Sequence, residues 1–167
     1  MNIMPISAIR NDNTFGAKVS NITIKDSAVE SIKGLEEIIY KAGKNVKNSE
    51  IPIGNKKAIH SPYELGYHTK DRDLDFILDE NNNVTHIGII NKTKTPDDKE
   101  LIKSFYYYKG CPTAPNPIPS ISYSEFTVFD FNTYKHDIYN EGEVVPDNIA
   151  DKIKNLIDIT IKNLGIK

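Results

Sequence analysis

The chain has 167 residues, 38% of them hydrophobic and 26% charged, which fits one folded domain and excludes a disordered chain. Its net charge is −2, and only Arg10 and Arg72 among its 21 basic residues are arginine, so sequence-specific DNA binding is disfavoured. The sequence contains neither an apolar run of about 20 residues nor an N-terminal signal peptide, which predicts a cytoplasmic protein that does not cross a membrane.

The N-terminal segment lacks a sustained apolar period. Residues 1–20 mix Asn, Ser, Gly and Pro, which predicts a flexible arm or an edge strand. No repeat or low-complexity linker divides the remainder of the chain. We therefore assign 21–167 to a single domain.

The first strongly patterned element is an amphipathic helix. Apolar residues recur at spacings of three and four from Asp26 or Ser27 to Gly43, where glycine is a typical helix end. The lysine-rich segment that follows predicts an exposed basic loop. Within it, Lys56 and Lys57 are candidate contacts for a binding partner.

Residues 72–91 predict a β-hairpin. Side chains alternate along its first strand, with Leu74, Phe76 and Leu78 on one face and Asp73, Asp75, Ile77 and Asp79 on the other. We place the turn at the three asparagines 81–83, with Asp79 paired to Val84. Ile77 then faces His86, and Asp75 lies diagonal to this histidine.

Three further elements are predicted in the second half of the chain. Residues 95–98, Thr-Pro-Asp-Asp, are typical of a helix start, and we expect that helix to run to Tyr108. The stretch 110–119 carries four prolines, which predicts a stiff, extended connection. The apolar residues of 121–134 fall on both faces, which is typical of a central strand covered on both sides.

The final element is an amphipathic helix that begins at Pro146 and Asp147 and ends at Gly165. Together the elements predict an α+β fold: an antiparallel sheet of about four strands, with two to three helices packed on one of its faces.

A cluster of carboxylates and imidazoles is the first candidate site. Asp73, Asp75 and His86 could hold a divalent metal ion or act as a general acid–base pair. His60 and His68 flank a Pro- and Gly-containing loop, so all three histidines are catalytic candidates. The alternative is a solvated sheet face whose charges prevent aggregation.

Three consecutive tyrosines form the second candidate site. On the predicted helix, Tyr106, Tyr107 and Tyr108 would point in three directions, so at least one ring would be exposed to solvent or a partner. Exposed tyrosines are favourable at protein interfaces. The alternative is that they pack between helix and sheet with their hydroxyls outward.

The sequence contains no Gly-rich phosphate loop, nucleophile elbow or dinucleotide fingerprint. We therefore predict a binding or interaction module without a cofactor, whose partner is a protein or a small polar ligand. Its composition of Lys, Asn and Ile is typical of AT-rich genomes and suggests an accessory, phage or bacterial-conflict protein. The alternatives are a metal-assisted hydrolase or nuclease and a nucleotide-binding module that stacks a base on Tyr107 or Tyr108.

Overall fold

The protein is an α+β structure in this computed structural model, which describes residues 17–43, 50–53, 56–61, 64–68, 71–78, 84–110 and 118–163. Within these ranges, the side chains of residues 42–43, 50–53, 56–61, 64–68 and 78 are not described. No helix in the described ranges is long and apolar enough to cross a bilayer.

Both predicted long helices are present. Helix α1 spans Asp26–Gly43 and helix α2 spans Asp147–Asn163. Each buries one apolar stripe, formed by Val29, Ile32, Leu35 and Ile39 in α1 and by Ile149, Ile153, Leu156 and Ile157 in α2. The helices pack against each other, and the Ser31 hydroxyl donates a hydrogen bond of 2.8 Å to Asp158.

A small hairpin precedes α1, and an antiparallel sheet follows it. The hairpin joins β1 (Ala17–Val19) to β2 (Ile22–Ile24). The sheet has eight strands: β3 (Glu50–Ile53), β4 (Lys56–Ser61), β5 (Glu64–His68), β6 (Arg72–Leu78), β7 (Val84–Lys94), β8 (Glu100–Tyr108), β9 (Ser120–Thr127) and β10 (Asp130–Asn140). The strands lie side by side in chain order, so β3 and β10 are its edges. The predicted class is confirmed, with more strands than the four expected.

The sheet has two unlike faces. Its inner face contributes Leu74, Phe76, Ile87, Ile89, Phe105, Tyr107, Ile121 and Tyr123 to one core shared with both helices. The opposite face, called the outer face below, carries no helix in the described part of the chain. Because side chains of a strand point alternately to the two faces, each of the strands from β6 to β10 contributes to both.

The helix predicted from 95–98 to Tyr108 is wrong. Residues 95–98 form the turn between β7 and β8, in which Asp98 N–H donates to the Thr95 carbonyl and Asp98 has a φ of 65°. The Thr95 hydroxyl accepts a bond from Lys99 N–H, four residues on, whereas at the start of a helix it would accept from the N–H two or three residues on. Threonine, proline and aspartate suit turns as well as helix starts, and strand pairing on both sides of β8 decides between them.

The single central strand predicted over 121–134 is also wrong. The segment contains two strands, β9 and β10, joined by a turn at Val128 and Phe129, and Phe129 has a φ of 67°. The Thr133 hydroxyl ties the turn by accepting from Thr127 N–H at 2.7 Å. Phe129 and Phe131 are 97% and 93% exposed, so the apolar residues on both faces do not mark a covered strand.

Strands also replace two of the expected loops. Part of the basic segment and the stretch that carries His60 and His68 form β3, β4 and β5. Their short ladders are antiparallel and continue the sheet. In the first 20 residues, Val19 is buried in the core, and residues 1–16 lie outside the described ranges.

The 72–91 hairpin matches the prediction in its faces and in most of its register. Leu74 and Phe76 are buried, and Ile77 lies opposite His86 as expected. Leu78, rather than Asp79, pairs with Val84, because an irregularity follows Ile77 and shifts the register by one residue.

Candidate functional site

The three tyrosines lie on β8, so they alternate between the two faces of the sheet. Tyr107 points inward, is 2% exposed and lies with its hydroxyl 2.6 Å from the Ser20 hydroxyl. Tyr106 and Tyr108 point to the outer face, where Tyr106 is 46% exposed. Tyr107 is therefore part of the core and is not accessible to a partner, whereas its two neighbours are.

Tyr108 stacks on His86. The two residues are directly opposite each other on β8 and β7, and their ring centroids are 4.3 Å apart with the planes tilted by 32°. Thr85 fixes the orientation of the imidazole, since its hydroxyl lies 3.2 Å from His86 Nδ1. The pair forms an aromatic wall on the outer face.

Tyr106 lies over Gly88, its partner on β7. A Cβ atom at Gly88 would be only 3.0 Å from Cε1 of Tyr106 and 3.1 Å from Cδ1, which is closer than ordinary van der Waals contact. The missing side chain of the glycine thus lets the tyrosine ring lie flat across the sheet. This ring points toward β6, where Asp75 pairs with Gly88.

The two aromatic groups border a cleft of about 210 Å³ on the outer face. Its lining includes, from β6 to β9, the residues Asp75, Ile77, His86, Tyr106, Tyr108 and Ser120. Among the described residues, no Lys or Arg lines it. The cleft therefore combines aromatic walls with a carboxylate and contains no described lysine or arginine.

Burial and the charges of Asp73 and Asp75 determine the protonation states of His86 and Tyr106 in the cleft. Burial lowers the pKa of His86 from its ordinary value of 6.5, so this histidine is uncharged at neutral pH. Burial, and then the negative charges of Asp75 and Asp73, raise the pKa of Tyr106 above 10.0. The Tyr106 hydroxyl therefore stays protonated and lies within the field of the two carboxylates.

The predicted metal cluster has no support among the described residues. No three His, Cys, Asp or Glu side chains in the described ranges lie close enough together to hold a metal ion, and this includes Asp73, Asp75 and His86. The side chains of His60 and His68, which would complete such a site, lie outside the described residues. Those of Lys56 and Lys57 do as well.

Sequence reasoning identified Tyr106, Tyr108, Asp75 and His86 but did not bring them together. It missed Gly88, whose position between two apolar strand residues is the available signal, because an isolated glycine in a strand often marks a close approach. No protein-family model, curated protein or solved structure matches this chain. Among the described residues, the outer-face cleft is therefore the feature that indicates a function.

Proposed function

We propose that this protein is an interaction module that binds a protein partner through the outer-face cleft, which receives a lysine or arginine side chain of the partner. The observation that carries the proposal is the placement of Tyr106 and Tyr108 beside Asp75 in a concave site. Aromatic faces and carboxylates both attract cations, and here they lie together.

The aromatic groups supply the apolar part of the contact. A cation within about 6 Å of a tyrosine ring gains roughly 0.5–2 kcal/mol, depending on how far it is desolvated. The ring of Tyr106 is half exposed and packs over Gly88, and a tyrosine offers a large contact area at low conformational-entropy cost because it has few side-chain torsions. Tyrosines are common at the centres of protein interfaces.

The charges favour a cation over an anion. Asp73 and Asp75 act on the cleft, and His86 adds no positive charge at neutral pH because its pKa is lowered. A phosphate group in the same place would meet carboxylates and none of the described lysines or arginines. These features support a basic partner over a nucleotide.

The two alternative functions stay predictions. A nucleotide-binding role requires a basic group beside the tyrosines, and a metal-dependent hydrolase requires His60 or His68 to join the aspartates. The cytoplasmic location and the accessory, phage or bacterial-conflict role likewise stay predictions.

Selection from a displayed peptide library against the immobilised protein tests the proposal. We expect enrichment of peptides with Arg or Lys next to apolar residues, and little recovery of acidic peptides. Loss of a hydrogen bond to a charged group costs about 1.5–3 kcal/mol, so Asp75→Asn should weaken the selected peptides by roughly tenfold to a hundredfold. Tyr106→Ala should weaken them as well.

Glu37→Gln is the matched control, because it removes one negative charge from the exposed surface of α1, on the other side of the sheet. It should leave binding unchanged, and a denaturant titration checks that each variant is folded. Selected peptides that bind wild type, Asp75→Asn and Tyr106→Ala equally well would overturn the proposal. Enrichment of acidic peptides would do the same.

A further inference from the structure

The two edges of the sheet differ in length and in their capacity to pair. The edge strand β3 has four residues, and one of them is Pro52, which lacks the N–H that a pairing strand needs. The edge strand β10 has 11 residues and contains neither proline nor glycine. A long edge of this kind is a template for another strand.

β10 also exposes apolar side chains next to its edge. Tyr134 and Ile138 point to the outer face and are 53% and 55% exposed. Tyr134 is held in place, since its ring lies 5.9 Å from that of Phe126 and its hydroxyl 3.0 Å from Nδ1 of His136. This edge thus carries an ordered apolar row that nothing covers in the described part of the chain.

We propose that β10 pairs antiparallel with β10 of a second copy of this chain. The two copies are related by a two-fold axis that passes midway between their His136 residues. In this register His136 faces His136 of the second copy, and Tyr134 faces Ile138. The two apolar residues of one copy then cover the two of the other, which is the self-complementarity that a two-fold interface requires. Aromatic and aliphatic side chains in directly opposed positions stabilise strand pairing.

The charges of β10 select the same register. Lys135 of one copy lies opposite Asp137 of the other, so that two ion pairs form across the axis. A register centred on Lys135 would instead set two lysines against each other, and directly opposed like charges destabilise a sheet. In the register centred on His136, opposite charges face each other and apolar side chains face each other. In the register centred on Lys135, neither is the case.

The pairing joins two eight-stranded sheets into one continuous sheet. A two-fold axis perpendicular to the sheet keeps both outer faces on the same side. The dimer buries the β10 edge and leaves the Pro52 edge outward, where proline prevents further growth.

Light scattering during gel filtration, over a range of protein concentrations, tests the association. We expect a concentration-dependent dimer for the wild type. Lys135→Asp should raise the dimer dissociation constant by about tenfold or more, because two like-charge pairs replace two ion pairs. Adding Asp137→Lys to this variant restores opposite charges and should recover the dimer, while each variant's unfolding curve verifies that the subunit is folded.

Disulfide formation tests the register. In a Cys111→Ser background, His136→Cys places two thiols opposite each other at a spacing that a disulfide accepts, so oxidation should yield a covalent dimer. Asn140→Cys is the control, because its two copies lie about 27 Å apart in this register. A wild type that stays monomeric at every concentration overturns the proposal. So does a dimer that Lys135→Asp leaves intact, that adding Asp137→Lys does not recover, or that cross-links through residue 140 and not 136.

Discussion

The two faces of the sheet give neighbouring residues of one strand opposite roles. On β8, Phe105 and Tyr107 point to the helices and are buried, whereas Tyr106 and Tyr108 point outward and border the cleft. Three of these residues are the same amino acid, so residue type does not decide between core and surface. The face of the sheet decides whether a residue is buried, since the inner face is covered by two helices and the outer face has no helix over it in the described ranges.

The largest expected effect is the difference in stability between truncations on the two faces. Phe105→Ala leaves a cavity at a fully buried position and should lower the free energy of unfolding by about 3–5 kcal/mol. Tyr106→Ala, one residue away, should lower it by about 1 kcal/mol or less, because half of the ring is already exposed. Urea titrations of both variants measure the difference, and equal losses would contradict the assignment of the faces.

A smaller effect separates two tyrosines of the inner face. Tyr107→Phe removes the hydroxyl that lies 2.6 Å from Ser20 and should cost about 1 kcal/mol. Tyr123→Phe removes a buried hydroxyl that has no hydrogen-bond partner among the described residues, so stability should stay unchanged or rise by up to about 1 kcal/mol. Thermal unfolding of the pair provides the measurement, and a large loss for Tyr123→Phe would reveal a partner for its hydroxyl.

Gly88→Ala should change the outer face while preserving the fold. The new Cβ displaces the Tyr106 ring, which can move toward solvent, so the free energy of unfolding should change by less than about 1 kcal/mol. The pKa of Tyr106, followed by ultraviolet absorbance, should fall back toward 10.0, because the ring leaves its buried place beside Asp75. Binding of basic peptides should weaken in parallel.

Gly34→Ala is the matched substitution in α1. A Cβ there meets nothing within 4 Å, so this variant should gain about 1 kcal/mol from helix propensity and keep the pKa of Tyr106 and peptide binding unchanged. If the Gly88→Ala variant binds basic peptides as tightly as the wild type does, Tyr106 does not take part in the proposed contact.

The smallest expected effect is the pH dependence due to His86. Its pKa is below 6.5 in the folded protein because burial disfavours the charged imidazole. The unfolded chain therefore binds the proton more readily, and the stability contributed by the neutral histidine is lost as pH falls below 6.5. The free energy of unfolding, measured for wild type and His86→Gln across this pH range, should depend less steeply on pH in the variant. Equal slopes would show that a group other than His86 causes the pH dependence.

The strongly periodic parts of the structure were predictable. The spacing of apolar residues located α1 and α2, and strict alternation assigned the faces of β6. Such patterns are local, since one buried stripe or one buried face is written in consecutive residues. The pairing of Ile77 with His86 also matches the prediction, although the pair predicted next to the turn, Asp79 with Val84, does not.

The errors fall where local chemistry permits two structures. Residues 95–98 carry a threonine, a proline and two aspartates that suit a helix start and a turn equally, and the segment after them became β8. Residues 121–134 have apolar side chains on both faces because a turn at Phe129 divides two strands. In both cases hydrogen bonds to the neighbouring strands of the sheet determine the structure, and the pattern within the segment itself does not encode them.

The amino-acid sequence by itself determined the α+β class, the two amphipathic helices and the alternation that separates Asp75 from Phe76. Only the tertiary structure decided that Tyr106, Tyr108, His86 and Gly88 meet on one face, because the ladder between β7 and β8 sets which residues lie opposite each other. Side-chain alternation is a property of one strand, whereas a cleft requires the register of several, and that register is fixed by packing against the helices.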